Sequence, residues 1–188
     1  MTRIRKMKAV VCCTGESRIR PDQAELANVL KKDQNPAASA CEKLLAAFPE
    51  GIRACAYGCL GGGSCEQVCR CHAIHISENG TARVDEEKCA GCGRCVKACP
   101  QHLIRLLPSE DSIRVLCSGR DPGKTARTVC GASCIGCGIC EKNCPAGAIH
   151  VVDNCAQIDT SRCISCGMCA VKCPRGVIHD RDGIFTAE

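Results

Sequence analysis

Four runs of cysteine occupy the last two-thirds of the chain, and three of them share one spacing. Two residues separate each of the first three cysteines, three separate the third from the fourth, and proline follows. These runs are Cys89, Cys92, Cys95 and Cys99; Cys134, Cys137, Cys140 and Cys144; and Cys163, Cys166, Cys169 and Cys173. The spacing is typical of 4Fe-4S sites, in which three close thiolates bind one cube and the fourth binds a neighbouring cube.

The remaining run is irregular, with wider spacings between its first three cysteines. It consists of Cys55, Cys59, Cys65 and Cys69, and the Gly61-Gly62-Gly63 segment lies inside it. Because a run of this kind needs a partner, four runs predict two pairs and four cubes. The crossed ligand sets are Cys55, Cys59, Cys65 and Cys99; Cys89, Cys92, Cys95 and Cys69; Cys134, Cys137, Cys140 and Cys173; and Cys163, Cys166, Cys169 and Cys144.

Other uses of cysteine fit the pattern less well. Structural zinc sites use two C-x-x-C pairs and need neither a third close cysteine nor a trailing proline. A disulfide scaffold is typical of short secreted chains, but the start of this chain has no apolar signal segment and the cysteine count of 23 is odd. A thioredoxin-type redox pair lacks its surrounding pattern. Zinc and disulfides remain the alternatives to iron–sulfur clusters.

Seven cysteines lie outside the sixteen predicted ligands. Some of them can be ordinary buried residues, since cysteine packs as a small apolar side chain. Cys13 and Cys41 in the N-terminal region and Cys117 and Cys130 further along are candidates for a fifth cube. Wide ligand spacing permits such a cube but does not signal it.

The order of patterns predicts an α+β chain of tandem bacterial two-cluster ferredoxin-like modules with a small N-terminal α/β cap. The cap, residues 1–53, contains a short strand (MKAVVCC) and two helices, about 21–32 and 38–48. Residues 54–107 form the first module and residues 131–181 the second, each with two strand–loop–helix–strand repeats. Residues 108–130, rich in glycine and proline, are the predicted linker and contain two of the possible fifth-cube ligands.

Charge and motifs exclude several classes of function. The formal net charge is +5, but four oxidised cubes at about −2 each would bring it to about −3, so the charge does not indicate nucleic-acid binding. The linker segment GRDPGKT is one residue too short for a phosphate-binding loop, and no GxGxxG occurs. No apolar stretch approaches the roughly 18 residues that span a bilayer. We predict neither a nucleotide site nor a direct membrane span.

The phrase CAYGCLGGGSC, followed by CAGCGRCVKACP, CSGRDPGKT, CIGCGIC and CISCGMC, resembles the B subunit of Rnf-type electron-transport complexes over about residues 8–180. The resemblance implies an iron–sulfur subunit on the cytoplasmic side of a membrane complex, which passes electrons between ferredoxin and NAD and couples them to ion movement. Family members typically begin with a membrane anchor and a further cluster domain, and neither pattern occurs here. Arg70 also stands where the family tends to have proline.

We therefore expect an electron-transfer subunit with four 4Fe-4S clusters, and a fifth as a further hypothesis. No catalytic constellation is visible, so we expect no catalytic centre of its own. The expected partners are other subunits of a redox complex and a ferredoxin-type donor or acceptor. We expect a cytoplasmic location, at the membrane face through partner subunits. The alternatives are a soluble polyferredoxin carrier and an electron-input subunit of another cytoplasmic oxidoreductase.

Overall fold

The protein is described by a computed structural model that covers residues 6–32 and 39–185. The chain divides into two compact units, Met1–Ser109 and Glu110–Glu188. Each unit contains two small antiparallel sheets and several short helices among its described residues. No helix in the described ranges is long and apolar enough to cross a membrane.

The first unit begins with a strand and two helices, followed by the first pair of cysteine runs. Its elements are β1 (Met7–Val11), α1 (Pro21–Lys32), α2 (Ala40–Ala47), α3 (Ser64–Gln67), β2 (Ile74–Ile76), β3 (Ala82–Val84), α4 (Arg94–Ala98) and β4 (Ile104–Pro108). Strand β1 pairs with β4, so that Met7 lies opposite Pro108. Strand β2 pairs with β3. The first strand of the unit therefore lies beside its last.

The second unit repeats this sheet topology. Its elements are β5 (Ile113–Val115), α5 (Gly123–Val129), α6 (Ile139–Lys142), β6 (Ile149–Val152), β7 (Cys155–Ile158), α7 (Met168–Val171) and β8 (Ile178–Asp180). Strand β5 pairs with β8, and β6 pairs with β7. Residues of the predicted linker form β5 and α5 within this unit. The finer division into cap, modules and linker stays a prediction.

The two N-terminal helices follow local sequence signals. Helix α1 begins at Pro21, as predicted, because proline at the first helical position loses no helical hydrogen bond. The predicted second helix is also confirmed as α2, although its predicted start at residue 38 lies outside the described residues. The Glu42 carboxylate accepts a 2.8 Å hydrogen bond from the Ser39 N–H. Such a bond pairs a backbone donor that the helix itself leaves unsatisfied.

Cysteine takes much of the place of large apolar residues in the interior. The chain has no tryptophan, one tyrosine and two phenylalanines. Most of each core surrounds the cysteine runs, and the first unit has a second, smaller core formed by Ala27, Cys41, Leu44, Ile52 and Leu60. This smaller core packs the N-terminal helices against the loop that carries the irregular run.

A buried arginine also ties the N-terminal region to that loop. Arg53 is 3% exposed, and its guanidinium donates to five carbonyl oxygens. The acceptors are Cys59 at 2.8 Å, Ser17 at 2.6 Å, Asn79 at 2.7 Å, Gly80 at 3.1 Å and Gly15 at 3.2 Å. Because the planar guanidinium carries five N–H donors, one side chain can bind several chain segments at once.

Replacing Arg53 by Met should destabilise the first unit by about 3 kcal/mol or more, because several buried carbonyls lose their donor. The matched control is Arg162→Met, since Arg162 makes one 3.4 Å bond to the Ala146 carbonyl at the surface. The control should change stability by less than about 0.5 kcal/mol. Anaerobic thermal unfolding of the loaded proteins measures both, and equal midpoints would contradict the assigned role of Arg53.

Candidate metal centre

The three regular cysteine runs share one backbone conformation. The second residue after the first cysteine and the second residue before the third cysteine both have positive φ. At the first of these positions the φ angles are 68° at Gly91, 63° at Gly136 and 52° at Ser165. At the second position they are 75° at Gly93, 71° at Gly138 and 71° at Gly167. Glycine adopts this left-handed region most easily. The residue at the first position bends the loop, and the residue at the second position precedes the short helix that carries the third cysteine.

A common turn also follows the fourth cysteine of each run. The third residue after it has positive φ and donates its N–H to the carbonyl of that cysteine. In three runs the next N–H donates to the cysteine sulfur. The N–H···S distances are 3.3 Å for Ala73 to Cys69, 3.4 Å for Leu103 to Cys99 and 3.2 Å for Ala148 to Cys144. Hydrogen bonds of this kind favour the thiolate form, which is the form that binds metal.

These turns bring the cysteines together around four cavities, each lined by at least four of them. Cavity I has Cys41, Cys59, Cys65 and Cys99 in its wall, and cavity II has Cys69, Cys89, Cys92 and Cys95, with Cys71 beside them. Cavity III has Cys134, Cys137, Cys140 and Cys173, and cavity IV has Cys144, Cys163, Cys166 and Cys169.

The structure therefore brings together three of the predicted sets as whole sets. In cavities II, III and IV the fourth cysteine comes from the partner run. Cavity I contains three of its predicted members, but Cys55 is not among its lining residues and Cys41 is. The role of these cysteines as ligands stays a prediction.

The donor set fits an iron–sulfur cube better than a single ion. No three His, Cys, Asp or Glu side chains in the described part of the chain are grouped closely enough to hold one metal ion. The four thiols are instead spread over the walls of each cavity. That arrangement suits a group whose four iron atoms each take one thiolate.

The third cysteine of each run is the least exposed of the cysteines in its cavity wall. Burial, together with the smaller effect of neighbouring cysteines, raises the pKa of Cys65 to about 12 and the pKa of Cys140 and Cys169 to about 11. Burial also raises the pKa of Cys95. Without metal these thiols hold their protons near neutral pH. Metal binding must therefore release protons from them.

A further thiol, that of Cys155, lies behind the residues that line cavity III. Cys155 is buried, and its thiol lies 3.4 Å from the carbonyl oxygen of Cys117. The single proton of the Cys155 thiol can be donated to one neighbouring sulfur at a time, and this hydrogen bonding lowers the pKa of Cys117 and of Cys134. These same hydrogen bonds raise the pKa of Cys155 itself. Cys155 thus acts as a neutral donor next to a predicted ligand, a role that the sequence did not indicate.

Strand β1 supports the loop of cavity II. The Lys8 ammonium donates to the carbonyls of Glu86 at 2.6 Å and Cys89 at 2.7 Å. The Ala9 N–H donates to the Cys89 sulfur at 3.4 Å. The N-terminal strand is therefore part of the surroundings of the site.

The four cysteines of the predicted fifth cube fall in different places. Cys13 packs against the core of the first unit, and Cys41 lines cavity I. Cys117 accepts N–H bonds from Gly119 at 3.3 Å and Cys134 at 3.4 Å in the second unit. The carbonyl of Cys130 accepts a 2.7 Å bond from Arg175. A fifth cube stays a prediction.

Comparison with known proteins supports this description. The family described as "4Fe-4S binding domain" matches residues 82–105, 132–150 and 156–179. The chain is 43% identical over 154 residues to the B subunit of the Na(+)-translocating ferredoxin:NAD(+) oxidoreductase complex of Acetobacterium woodii, a match that covers 82% of this chain and 43% of that relative. The matched domains contain the three regular runs but not the irregular one.

Two further relatives have the same kind of name. Identity is 42% over 110 residues to the B subunit of the ion-translocating oxidoreductase complex of Methanosarcina acetivorans, covering 58% of this chain and 42% of the relative. Identity is also 42% over 111 residues to the B subunit of the proton-translocating ferredoxin:NAD(+) oxidoreductase complex of Clostridium ljungdahlii, a match that covers 59% of this chain and 39% of that relative. The chain spans less than half the length of these relatives.

The protein is thus an iron–sulfur protein with 4Fe-4S binding domains. It is a homologue of the B subunits of ion-translocating ferredoxin:NAD oxidoreductase complexes, the family that its motifs resemble.

Gly91 tests the contact between strand β1 and the cavity II loop. A Cβ at Gly91 would collide with the Met7 carbonyl oxygen, whereas a Cβ at Gly176 would meet nothing within 4 Å. Both residues have positive φ, 68° and 57°. Gly91→Ala should therefore cost more than the roughly 1–2 kcal/mol of left-handed strain expected for Gly176→Ala. Thermal unfolding and iron content of the two variants measure the difference, and equal losses would contradict the contact.

Proposed function

We propose that this chain carries single electrons along four 4Fe-4S clusters as a subunit of an Rnf-like ferredoxin:NAD oxidoreductase complex. The observation that carries the proposal is the set of four cavities, each with at least four cysteine thiols in its wall. Homology to B subunits of such complexes supports the assignment to a complex of this kind.

The proposed ligands of three clusters are the crossed sets that line cavities II, III and IV. Cys59, Cys65 and Cys99 contribute three thiolates to the cluster of cavity I. Each bound cluster supplies one-electron chemistry, with a potential set by charge, hydrogen bonds to sulfur and exposure. The chain holds the thiolates in place and donates backbone N–H bonds to their sulfurs. Its buried cores limit the access of water to the third cysteines.

The proposed partners are other redox subunits and a ferredoxin-type donor or acceptor, at the cytoplasmic face of a membrane complex. The N-terminal region favours a subunit over a freely diffusing carrier, because a carrier needs little beyond its clusters. In the first unit this region has its own core and supports the cysteine loops through Arg53 and Lys8.

Anaerobic purification from native extract tests the function directly. We expect about sixteen irons and sixteen acid-labile sulfides per chain, reduction by a reduced ferredoxin, and paramagnetic resonance signals from coupled cubes. Co-purification with other redox subunits would support the complex. Migration as a lone monomer would instead favour the carrier, and little iron with stoichiometric zinc would reject both.

Crossed ligation predicts how cysteine substitutions combine. Cys144→Ala should lose the cluster of cavity IV, about four irons. Adding Cys166→Ala should lose no further iron, because Cys166 lines the same cavity. Adding Cys137→Ala instead should lose about eight irons in total, because Cys137 lines cavity III.

Cys137 and Cys166 are both exposed, so the two double variants are matched in burial. Iron and sulfide analysis of the single and double variants gives the result. If the pairing followed the sequence, the outcome would reverse. The Cys144→Ala, Cys137→Ala variant would then lose about four irons and the other double variant about eight.

A further inference from the structure

The irregular run has the same backbone conformation as the regular runs when Cys59 is counted as its first cysteine. The second residue after it, Gly61, has φ of 65°, and Gly63 before the third cysteine has φ of 76°. Helix α3 then carries Cys65, as α4, α6 and α7 carry the third cysteines of the other runs. The run is therefore regular in space, with Cys59, Cys65 and Cys69 as its first, third and fourth cysteines. Its second cysteine is replaced by Gly62.

The space next to Gly62 holds the sulfur of Cys41. A Cβ at Gly62 would lie 3.0 Å from the Cys41 sulfur and 2.9 Å from the Cys41 backbone nitrogen. Helix α2 thus enters the place where a second cysteine would stand in a regular run. The Cys41 N–H donates to the hydroxyl of Ser64, which is 1% exposed, at 3.0 Å. This bond fixes the start of α2 against the start of α3.

Cys41 also lies close to the other three cysteines of cavity I. It lines the cavity together with Cys59, Cys65 and Cys99. Cys55 is not among the residues that line the cavity. The Cys55 N–H donates instead to the Ser17 hydroxyl at 2.9 Å.

We infer that Cys41 supplies the fourth thiolate of the cluster in cavity I, in place of the cysteine that Gly62 replaces. This inference rests on the proposed function, since it requires a cluster in that cavity. It removes Cys55 from the ligand set that the spacing predicted. It also removes Cys41 from the predicted fifth cube, because a thiolate that terminally ligates one cube is not available to another.

The test compares Cys41→Ala with Cys55→Ala in the full chain, loaded anaerobically. We expect about twelve irons per chain for Cys41→Ala and about sixteen for Cys55→Ala. Combining Cys41→Ala with Cys65→Ala should remove no further iron, because both line cavity I. Combining it with Cys95→Ala should leave about eight, because Cys95 lines cavity II.

A Cys41→Ser variant distinguishes the loss of one ligand from misfolding of the first unit. Serine has nearly the same size, and its oxygen can bind iron, so we expect the paramagnetic resonance signal of one cluster to change while the others persist. The inference would be overturned if the signals of Cys41→Ser were unchanged. It would also be overturned if Cys41→Ala kept about sixteen irons while Cys55→Ala kept about twelve. A wild-type chain with little iron would reject the proposed function itself, which is a different result.

Discussion

Thiol side chains that converge on shared cavities determine the packing of both units. The cysteines around each of cavities I to IV come from stretches of chain that are separated in sequence. Few large apolar residues are available to hold the units together otherwise. Because a bound cluster would join these stretches covalently, cluster insertion and folding should be closely coupled.

Backbone conformation is the second requirement of such a site. Left-handed residues recur at matching positions of the runs, and one residue near the end of each run makes the same turn back to the fourth cysteine. His72 and His102 occupy this last position in the first unit, while Gly147 and Gly176 occupy it in the second. The position therefore tolerates a side chain at some cost in strain, whereas Gly91 has no space for one. Glycine is thus required at some of these turns by contacts and not by φ alone.

Much of this arrangement could be predicted from the sequence, because short-range spacing sets short-range geometry. The regular runs, the start of α1 and the presence of α2 all depend on residues a few positions apart. The register of the irregular run was not predicted, because counting Cys55 as its first cysteine makes it look like a regular run widened by insertions. The spacing of Cys59, Cys65 and Cys69 equals that of the first, third and fourth cysteines of a regular run, and the φ angles of Gly61 and Gly63 agree with that register. A replaced second cysteine at Gly62 is the signal that could have suggested a ligand from elsewhere.

Residues whose partners are far away in sequence are the hardest to predict. Arg53 and Lys8 bind backbone carbonyls, and no pattern in the sequence indicates which carbonyls a basic side chain will reach. The same holds for Cys155, which has the sequence context of a small apolar residue and functions as a thiol donor.

The N-terminal region concentrates these long-range contacts. Strand β1 contacts the loop of cavity II and helix α2 brings a thiol to cavity I, so this region contributes to the surroundings of both cavities of the first unit. In the second unit, by contrast, residues after Glu110 supply all the thiols of cavities III and IV. Cluster loading of the first unit should therefore depend on the N-terminal segment, whereas the second unit supplies the cysteines of its own two cavities.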